Sequence, residues 1–358
     1  MNQFSSVETR LAQAVATAPS VRRLDEQNFE RWDAFVAACP SATFFHRAGW
    51  KRVIEKAFGH RCHFLYAEQD GEITGILPLG EIRSRIFGHS LVSLPFCVYG
   101  GIAALNDAAH AALDQEAQRL AATLGVGHLE YRNLTREHPD WSCKDLYVTF
   151  RKAISEDNVA NMNAIPRKQR AMVRKGIKAG LTGEIDSDSK RFFHAYATSV
   201  RNLGTPVFSR RYFDLLRAEF GTDCEILTIV KDNQVIASVL SFYFRDEVLP
   251  YYGGGTAAAR AVAGNDFMYW DLLRRAAERG YRVFDFGRSK RDTGAFDFKK
   301  NWGFEPQPLY YETQLHRARE VPEHNPLNPK YQRFIRVWRR MPLPVANRLG
   351  PFIVRNLG

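Results

Sequence analysis

Five cations fall within the thirteen positions from Arg288 to Lys300, directly after the apolar–acid–apolar run Phe284-Asp285-Phe286. That run reads as a strand end. A strand end is rigid, and the loop leaving it can present backbone N–H groups and side chains at fixed distances. Gly287 lets such a loop turn or approach a ligand closely. Arg288 and Lys290 are placed to hold a phosphate or carboxylate, with Ser289 as a hydrogen-bonding partner, and the arginine fork suits two-point anion contact. Asp285 keeps two readings open. It is either a general base whose pKa is raised by burial, or a structural partner of Arg288.

The stretch Tyr251-Tyr252-Gly253-Gly254 is a second candidate wall. Successive side chains of a strand point to opposite faces, so one tyrosine is expected in a cleft and the other in packing. The glycines offer backbone donors to a substrate. Asn265-Asp266 reads as a helix N-cap before Phe267, with substrate contact by Asn265 as the alternative. Arg132-Asn133 mirrors Arg288-Ser289 and would line the opposite wall.

The net charge of +11 is concentrated in two segments. Residues 166–180 hold Arg167, Lys168, Arg170, Arg174, Lys175 and Lys178 with no acid, and residues 316–358 hold nine cations against Glu320 and Glu323, so the remainder of the chain is slightly acidic. A helical face carrying Arg167, Arg170 and Arg174 repels itself unless an anion arrives. In the tail, a basic amphipathic helix over about 330–340 could lie on an anionic membrane or dock on the body through Phe334, Val337 and Trp338. No run of apolar residues is long enough to span a bilayer, and residues 1–20 read as a mobile leader without a secretory pattern. The five scattered cysteines fit a reducing compartment and no disulfide framework. His60-Arg61-Cys62-His63 matches no metal-ligand spacing, and no metal is expected. The expected location is cytoplasmic, with a peripheral position at the inner membrane face as an option.

The elements that must position these residues repeat within the chain. Phe58-Gly59-His60-Arg61-Cys62 and Phe220-Gly221-Thr222-Asp223-Cys224 align at an offset of 162 residues. At the same offset GWKRVIEKAFG lies over RYFDLLRAEFG, with apolar positions at helical spacing. FLYAEQDGEITGILPL lies over ILTIVKDNQVIASVLS, two hairpins turning at Asp70-Gly71 and Asp232-Asn233. Val98-Tyr99-Gly100-Gly101 echoes Tyr251–Gly254, and Leu129-Glu130-Tyr131 echoes Phe284–Phe286. The prediction is an α/β (α+β) chain of two homologous halves, residues 21–150 and 160–315. Each carries a mixed, mainly antiparallel sheet covered by helices, and residues 316–358 form a basic extension.

This order of elements resembles the fold of the GCN5-related N-acetyltransferases (GNAT), present twice. The stretches NAIPRKQRAMVRKGIKAGL, YYGGGTAAARAVAGNDFMYWDLL and FDFGRSKRDTGAFDFKKNWGFEPQPLYYE resemble FemAB-like proteins and BioF2-like acyltransferase domains, of the kind that accompanies PEP-CTERM/exosortase and exopolysaccharide loci. The resemblance implies an acyl- or aminoacyltransferase with its acceptor in a cleft between the halves. That acceptor would be an amine of an envelope, peptide or polysaccharide precursor. It implies that Lys299, in the motif Phe298-Lys299, stabilises charge on the reacting carbonyl, with Lys300 as the alternative and a further substrate contact. Arg167, Lys168, Arg170, Arg174 and Lys175 would face donor phosphates. The chain lacks the long helical arm of tRNA-using members and the coenzyme A signature of simple acetyltransferases. The donor is therefore acyl-CoA or aminoacyl-tRNA, and no tightly bound cofactor is expected. Two other functions compete: a non-catalytic binder of nucleic acid or membrane surface, and a degenerate scaffold. The 166–180 segment has no aromatic residue, which counts against single-strand binding.

Overall fold

The computed structural model describes residues 18–84, 87–321 and 329–357. The expected leader, residues 1–20, lies outside the described residues up to position 17, and Ser20 already opens a strand. The first half runs β1 (Ser20–Arg23), α1 (Phe29–Ala38), α2 (Gly49–Phe58), β2 (Arg61–Gln69), β3 (Glu72–Ser84), β4 (Gly88–Ser93), β5 (Ala103–Ala104), α3 (Asp107–Leu124), β6 (His128–Asn133), β7 (Ser142–Lys144) and β8 (Tyr147–Ala153). The second half opens with α4 (Asn158–Ala164), α5 (Arg167–Lys178), β9 (Thr182–Ile185), α6 (Lys190–Leu203) and α7 (Arg210–Phe220). It continues through β10 (Cys224–Lys231), β11 (Gln234–Phe244), β12 (Glu247–Gly255), α8 (Gly264–Glu278), β13 (Val283–Asp285), β14 (Ser289–Lys290), α9 (Gly294–Asn301), β15 (Pro306–Pro308) and β16 (Tyr310–Leu315). Two tail helices follow, α10 (Pro329–Arg340) and α11 (Leu343–Val354).

The repeat is visible in space. Both hairpin turns put two central residues in the left-handed region, Asp70 and Gly71 at φ 52° and 85° and Asp232 and Asn233 at φ 49° and 60°. Such turns match the twist of the strands they join. Helices α2 and α7 pack against each other. A Cβ at Gly49 would meet Glu219 and Phe220 at 2.8 and 2.9 Å, so glycine permits the approach. One aromatic core spans both halves, with Phe44 stacked on Phe242 at 4.4 Å and Phe58 against Tyr212 at 5.0 Å.

Two mixed sheets carry the halves, in the orders β1-β2-β3-β4-β6-β16-β7 and β14-β8-β13-β12-β11-β10-β9, with β5 on β3 and β15 on β8. Among the described residues all pairs are antiparallel except β4–β6 and β12–β13. Sequence order and sheet membership cross over. Strand β8, at the expected boundary of the first half, sits in the second sheet, while β16, expected in the second half, pairs with β6 in the first. Helix α3 covers the first sheet through Leu113, Ala117 and Leu120, and α8 covers the second through Phe267, Trp270 and Leu273.

The first half differs from its repeat at Val98–Gly101, which is irregular where Tyr251–Gly254 is strand. Both of its glycines lie in crowded surroundings. A Cβ at Gly100 would land on the Leu94 backbone nitrogen and one at Gly101 on Asn133 Oδ1. In the tail, Trp338 is buried, whereas Phe334, stacked on the Trp338 ring at 5.2 Å, and Val337, named with it in the docking alternative, are exposed. Ile335 takes their place, reaching the position where a Cβ at Gly204 would stand, at 2.5 Å.

Candidate active site

Strands β12 and β13 pair in parallel through only two residue pairs, Glu247 with Val283 and Val248 with Phe284. Beyond them the strands diverge, and the gap opens into a cavity of about 440 Å³. Its second-half wall is Pro250–Gly253, Tyr269, Phe286–Arg288 and Lys299. The facing wall comes from the first sheet, with Ser90, His128, Glu130, Arg132 and Tyr311, and the last residues of the tail border it. That volume lies within the usual range for small-molecule sites.

Helix α9 sets the lysines. Thr293 caps it, its hydroxyl accepting from the Phe296 N–H at 3.4 Å, and Phe298 and Trp302 pack toward the second core. This phase turns Lys299 inward and leaves Lys300 exposed beside the Phe296 ring. Lys299 Nζ donates to the carbonyls of Gly287 and Arg288, both at 3.0 Å, which uses two of its three N–H bonds. Burial lowers its pKa to about 7, with Asp285 pulling it up and Arg288 pushing it down. Arg288 donates to the Tyr311 hydroxyl at 2.9 Å and lies over the Tyr147 ring at 4.6 Å. Among the described residues no carboxylate lies within ion-pairing distance of Arg288 or Lys299. The lining holds Arg132, Lys144, Arg288 and Lys299 against one acid, Glu130.

Residues 167–300, from β9's preceding helix to the lysine pair of α9, match the family model described as an acetyltransferase (GNAT) domain. None of the curated proteins matches the chain. Among solved structures, FemX superposes with a TM-score of 0.64 at 15% identity, covering 82% of this chain and 97% of FemX. A tandem GNAT protein from the clavulanic acid biosynthesis pathway gives a TM-score of 0.51 at 13% identity, covering 83% and 98%. The chain has a tandem GNAT fold. A third similar structure is the C-terminal domain (DUF2156) of a putative lysylphosphatidylglycerol synthetase from Agrobacterium fabrum. Its TM-score is 0.54 at 13% identity, covering 80% of this chain and 91% of that one.

Within this tandem GNAT fold the expected site residues separate into two groups. Lys299, Arg288, Tyr251, Tyr252 and Gly253 meet at the cavity. Both tyrosines face it, against the expected alternation, because the β11–β12 register shifts between Leu240 and Ser241 and leaves Tyr251 as a bulged residue. Their hydroxyls are engaged with the protein: Tyr251 donates to the Phe96 carbonyl at 2.9 Å and Tyr252 meets Tyr212 at 3.0 Å.

The second group lies outside the lining. Asp285 is buried behind the wall and accepts from the Gly287 N–H at 2.7 Å and the Tyr99 hydroxyl at 3.0 Å, with Arg151 at 3.4 Å. Burial raises its pKa against these donors. Its partner is therefore Arg151 and not Arg288, and it has no face on the cavity from which to act as a base. Ser289 is buried in β14, with its Oγ unbonded among the described residues. Lys290 is half-buried, and burial followed by Arg288 lowers its pKa to about 8. Gly254 serves packing, since a Cβ there would meet Ser199 at 2.5 Å. Asn265 does not cap α8. It sits exposed in the first turn after Ala263, and Asp266 beside it accepts from Gln169 and Trp302 at 2.9 and 3.1 Å. On α5, Arg167, Lys168, Arg174 and Lys175 are exposed and Arg170 bonds Asn163 at 3.0 Å, all away from the cavity.

Several cavity residues escaped the sequence reading, Tyr147, Tyr269 and Tyr311 among them. The run Leu309-Tyr310-Tyr311-Glu312 reads as an ordinary strand, and nothing local places it beside Arg288. Tyr269 lies one helical turn from Asn265, and helical phase could have singled it out.

Proposed function

We propose that the chain is an acyltransferase that moves an activated acyl group onto an amine in the cavity between its halves. The reading is supported above all by Lys299, a buried lysine with two carbonyl partners and one N–H bond left over, in a cavity with excess positive charge. Acyl transfer to an amine requires a donor aimed at the oxyanion that develops as the amine attacks the carbonyl. Lys299 in its ammonium form supplies that donor. Collapse of the tetrahedral intermediate forms the amide and breaks the bond to the thiolate or alkoxide, which leaves with the proton lost by the amine. Arg288 holds an anionic group of donor or acceptor, and the tyrosine-rich wall excludes water around it. The exposed cations of α5 face a phosphate-bearing handle of the donor, outside the cavity.

Calorimetric titration with coenzyme A, acetyl-coenzyme A and bulk tRNA tests this reading, alongside Lys299→Ala and a variant with the α5 cations neutralised. Binding of one donor that weakens in the α5 variant and persists in Lys299→Ala is expected. If no donor binds, the acyl-transfer reading fails and a non-catalytic role replaces it.

A further inference from the structure

Helices α10 and α11 are only half used in packing. Along α11, Ala346, Gly350 and Val354 are buried at a spacing of four, and a Cβ at Gly350 would touch the Val207 backbone at 2.8 Å. The opposite face of the same helix carries Val345, Leu349 and Phe352, all exposed, Phe352 at 67%. Helix α10 repeats the arrangement. Trp338 is buried and Ile335 reaches Gly204 at the end of α6, while Phe334, its ring stacked on Trp338 at 5.2 Å, and Val337 stay exposed, Val337 at 64%. Of the twelve large apolar side chains exposed among the described residues, these two short helices hold five. Leu203, a sixth, ends α6 where the Arg339 guanidinium reaches its carbonyl at 3.4 Å.

Charge decides what could cover this surface. Residues 329–357 contain seven cations, Lys330, Arg333, Arg336, Arg339, Arg340, Arg348 and Arg355, and no acid. Arg339 and Arg355 are exposed but reach the carbonyls of Leu203 and Phe58, whereas Arg333, Arg336, Arg340 and Arg348 are exposed beside the apolar positions. Apolar residues flanked by arginines match the boundary between the acyl chains and headgroups of an anionic bilayer. A second copy of the chain would bring the same uncompensated cations face to face, which like-charge repulsion opposes. Among the described residues no helix is long and apolar enough to cross a membrane.

We propose that the outer faces of α10 and α11 dock the protein on the surface of an anionic membrane. The docked helix also touches the site: Val354, Asn356 and Leu357 border the cavity that holds Lys299. Docking therefore sets the cavity beside the lipid–water boundary, where an amine on an amphiphilic acceptor would be presented. That last step rests on the acyl-transfer reading, whereas docking itself does not.

The experiment is co-sedimentation of the full chain with two kinds of vesicle, one of phosphatidylcholine alone and one of phosphatidylcholine mixed equally with phosphatidylglycerol. Two variants run beside it: Val345→Asp with Leu349→Asp and Phe352→Asp, and Arg333, Arg336, Arg340 and Arg348 each changed to Gln. All seven side chains are exposed, so both variants should melt as the parent does. The expected result is binding to the anionic vesicles that falls at least about tenfold in either variant and weakens with added salt. Absence of binding, equal binding to both vesicles, or binding unchanged in either variant overturns the proposal. A concentration-dependent dimer in sedimentation, dissolved by the aspartate variant, also overturns it in favour of self-association. Donor titrations read the acyl-transfer proposal separately, so either idea can fail alone.

Discussion

The two halves open in the same place and furnish the opening differently. In each, a parallel strand pair diverges, β4 from β6 after Ser93 and β12 from β13 after Val248. At the first opening Arg132 donates to Glu130 at 2.9 Å and to the carbonyls of Leu94 and Cys97 at 3.1 and 2.8 Å. A second cavity, of about 460 Å³, adjoins this opening, and its lining balances Arg132, Arg151 and Arg245 with Glu137, Asp246 and Glu247. At the other opening Arg288 finds a tyrosine hydroxyl and Lys299 finds two carbonyls. A duplicated frame has thus been settled by its own charges on one side and left with surplus cations on the other. Surplus buried charge costs stability, and a site that binds or stabilises an anion is where such a cost has a use.

The contrast is broken most directly by comparing Arg132→Met with Arg288→Met. Burial favours the neutral form of Glu130, and Arg132 more than offsets this, holding its pKa below the usual carboxylate range. Removing Arg132 strands that carboxylate and should cost about 3–5 kcal/mol in chemical unfolding. Removing Arg288 strands no acid, so its cost should stay below about 1.5 kcal/mol while binding of an anionic substrate is lost. Equal destabilisation by the two would show that the openings do not differ in the way described.

Next in size is Lys299→Met, expected to reduce turnover by roughly 10²–10³ with the fold intact, measured in a steady-state assay with the donor found by titration. Its stability effect has a defined sign. The folded pKa is about 7 against 10.5 for the free side chain. Between these values the unfolded chain holds a proton that the folded chain does not, so the parent gains stability as pH rises across the window. Lys299→Met removes that slope. Its melting temperature should exceed the parent's by most below pH 7, and the difference should shrink toward pH 10. A difference independent of pH would mean that Lys299 is not desolvated. The smallest effect is expected on α5, where Lys175→Ala should leave stability within about 0.5 kcal/mol and still weaken donor binding in a salt-dependent way.

Much of the frame is legible in the chain because its signals are local. The hairpin turns, the matched helices α2 and α7, and the strand ends at Glu130 and Asp285 all follow from spacing over a few residues. What stays hidden is set by distant partners. The bulge at Tyr251 depends on register with β11, and no feature of the sequence YYGG announces it. Lys299 and Lys300 are chemically equal neighbours, and only the docking of α9 through Phe298 and Trp302 buries one and exposes the other. Asp285 meets Tyr99, 186 positions away in sequence, which no reading of its own neighbourhood could supply.

The crossing of β8 and β16 reaches beyond the site. A chain made from its N-terminus cannot close its first sheet until residue 315 has emerged, because β16 lies between β6 and β7. Nor can residues 160–315 complete theirs without β8, which holds β13, β14 and β15 together. Cut at the boundary suggested by the repeat, the polypeptide yields two fragments, each missing an interior rung of its ladder. The two repeats are thus interlocked, each sheet borrowing one strand from the other half of the chain.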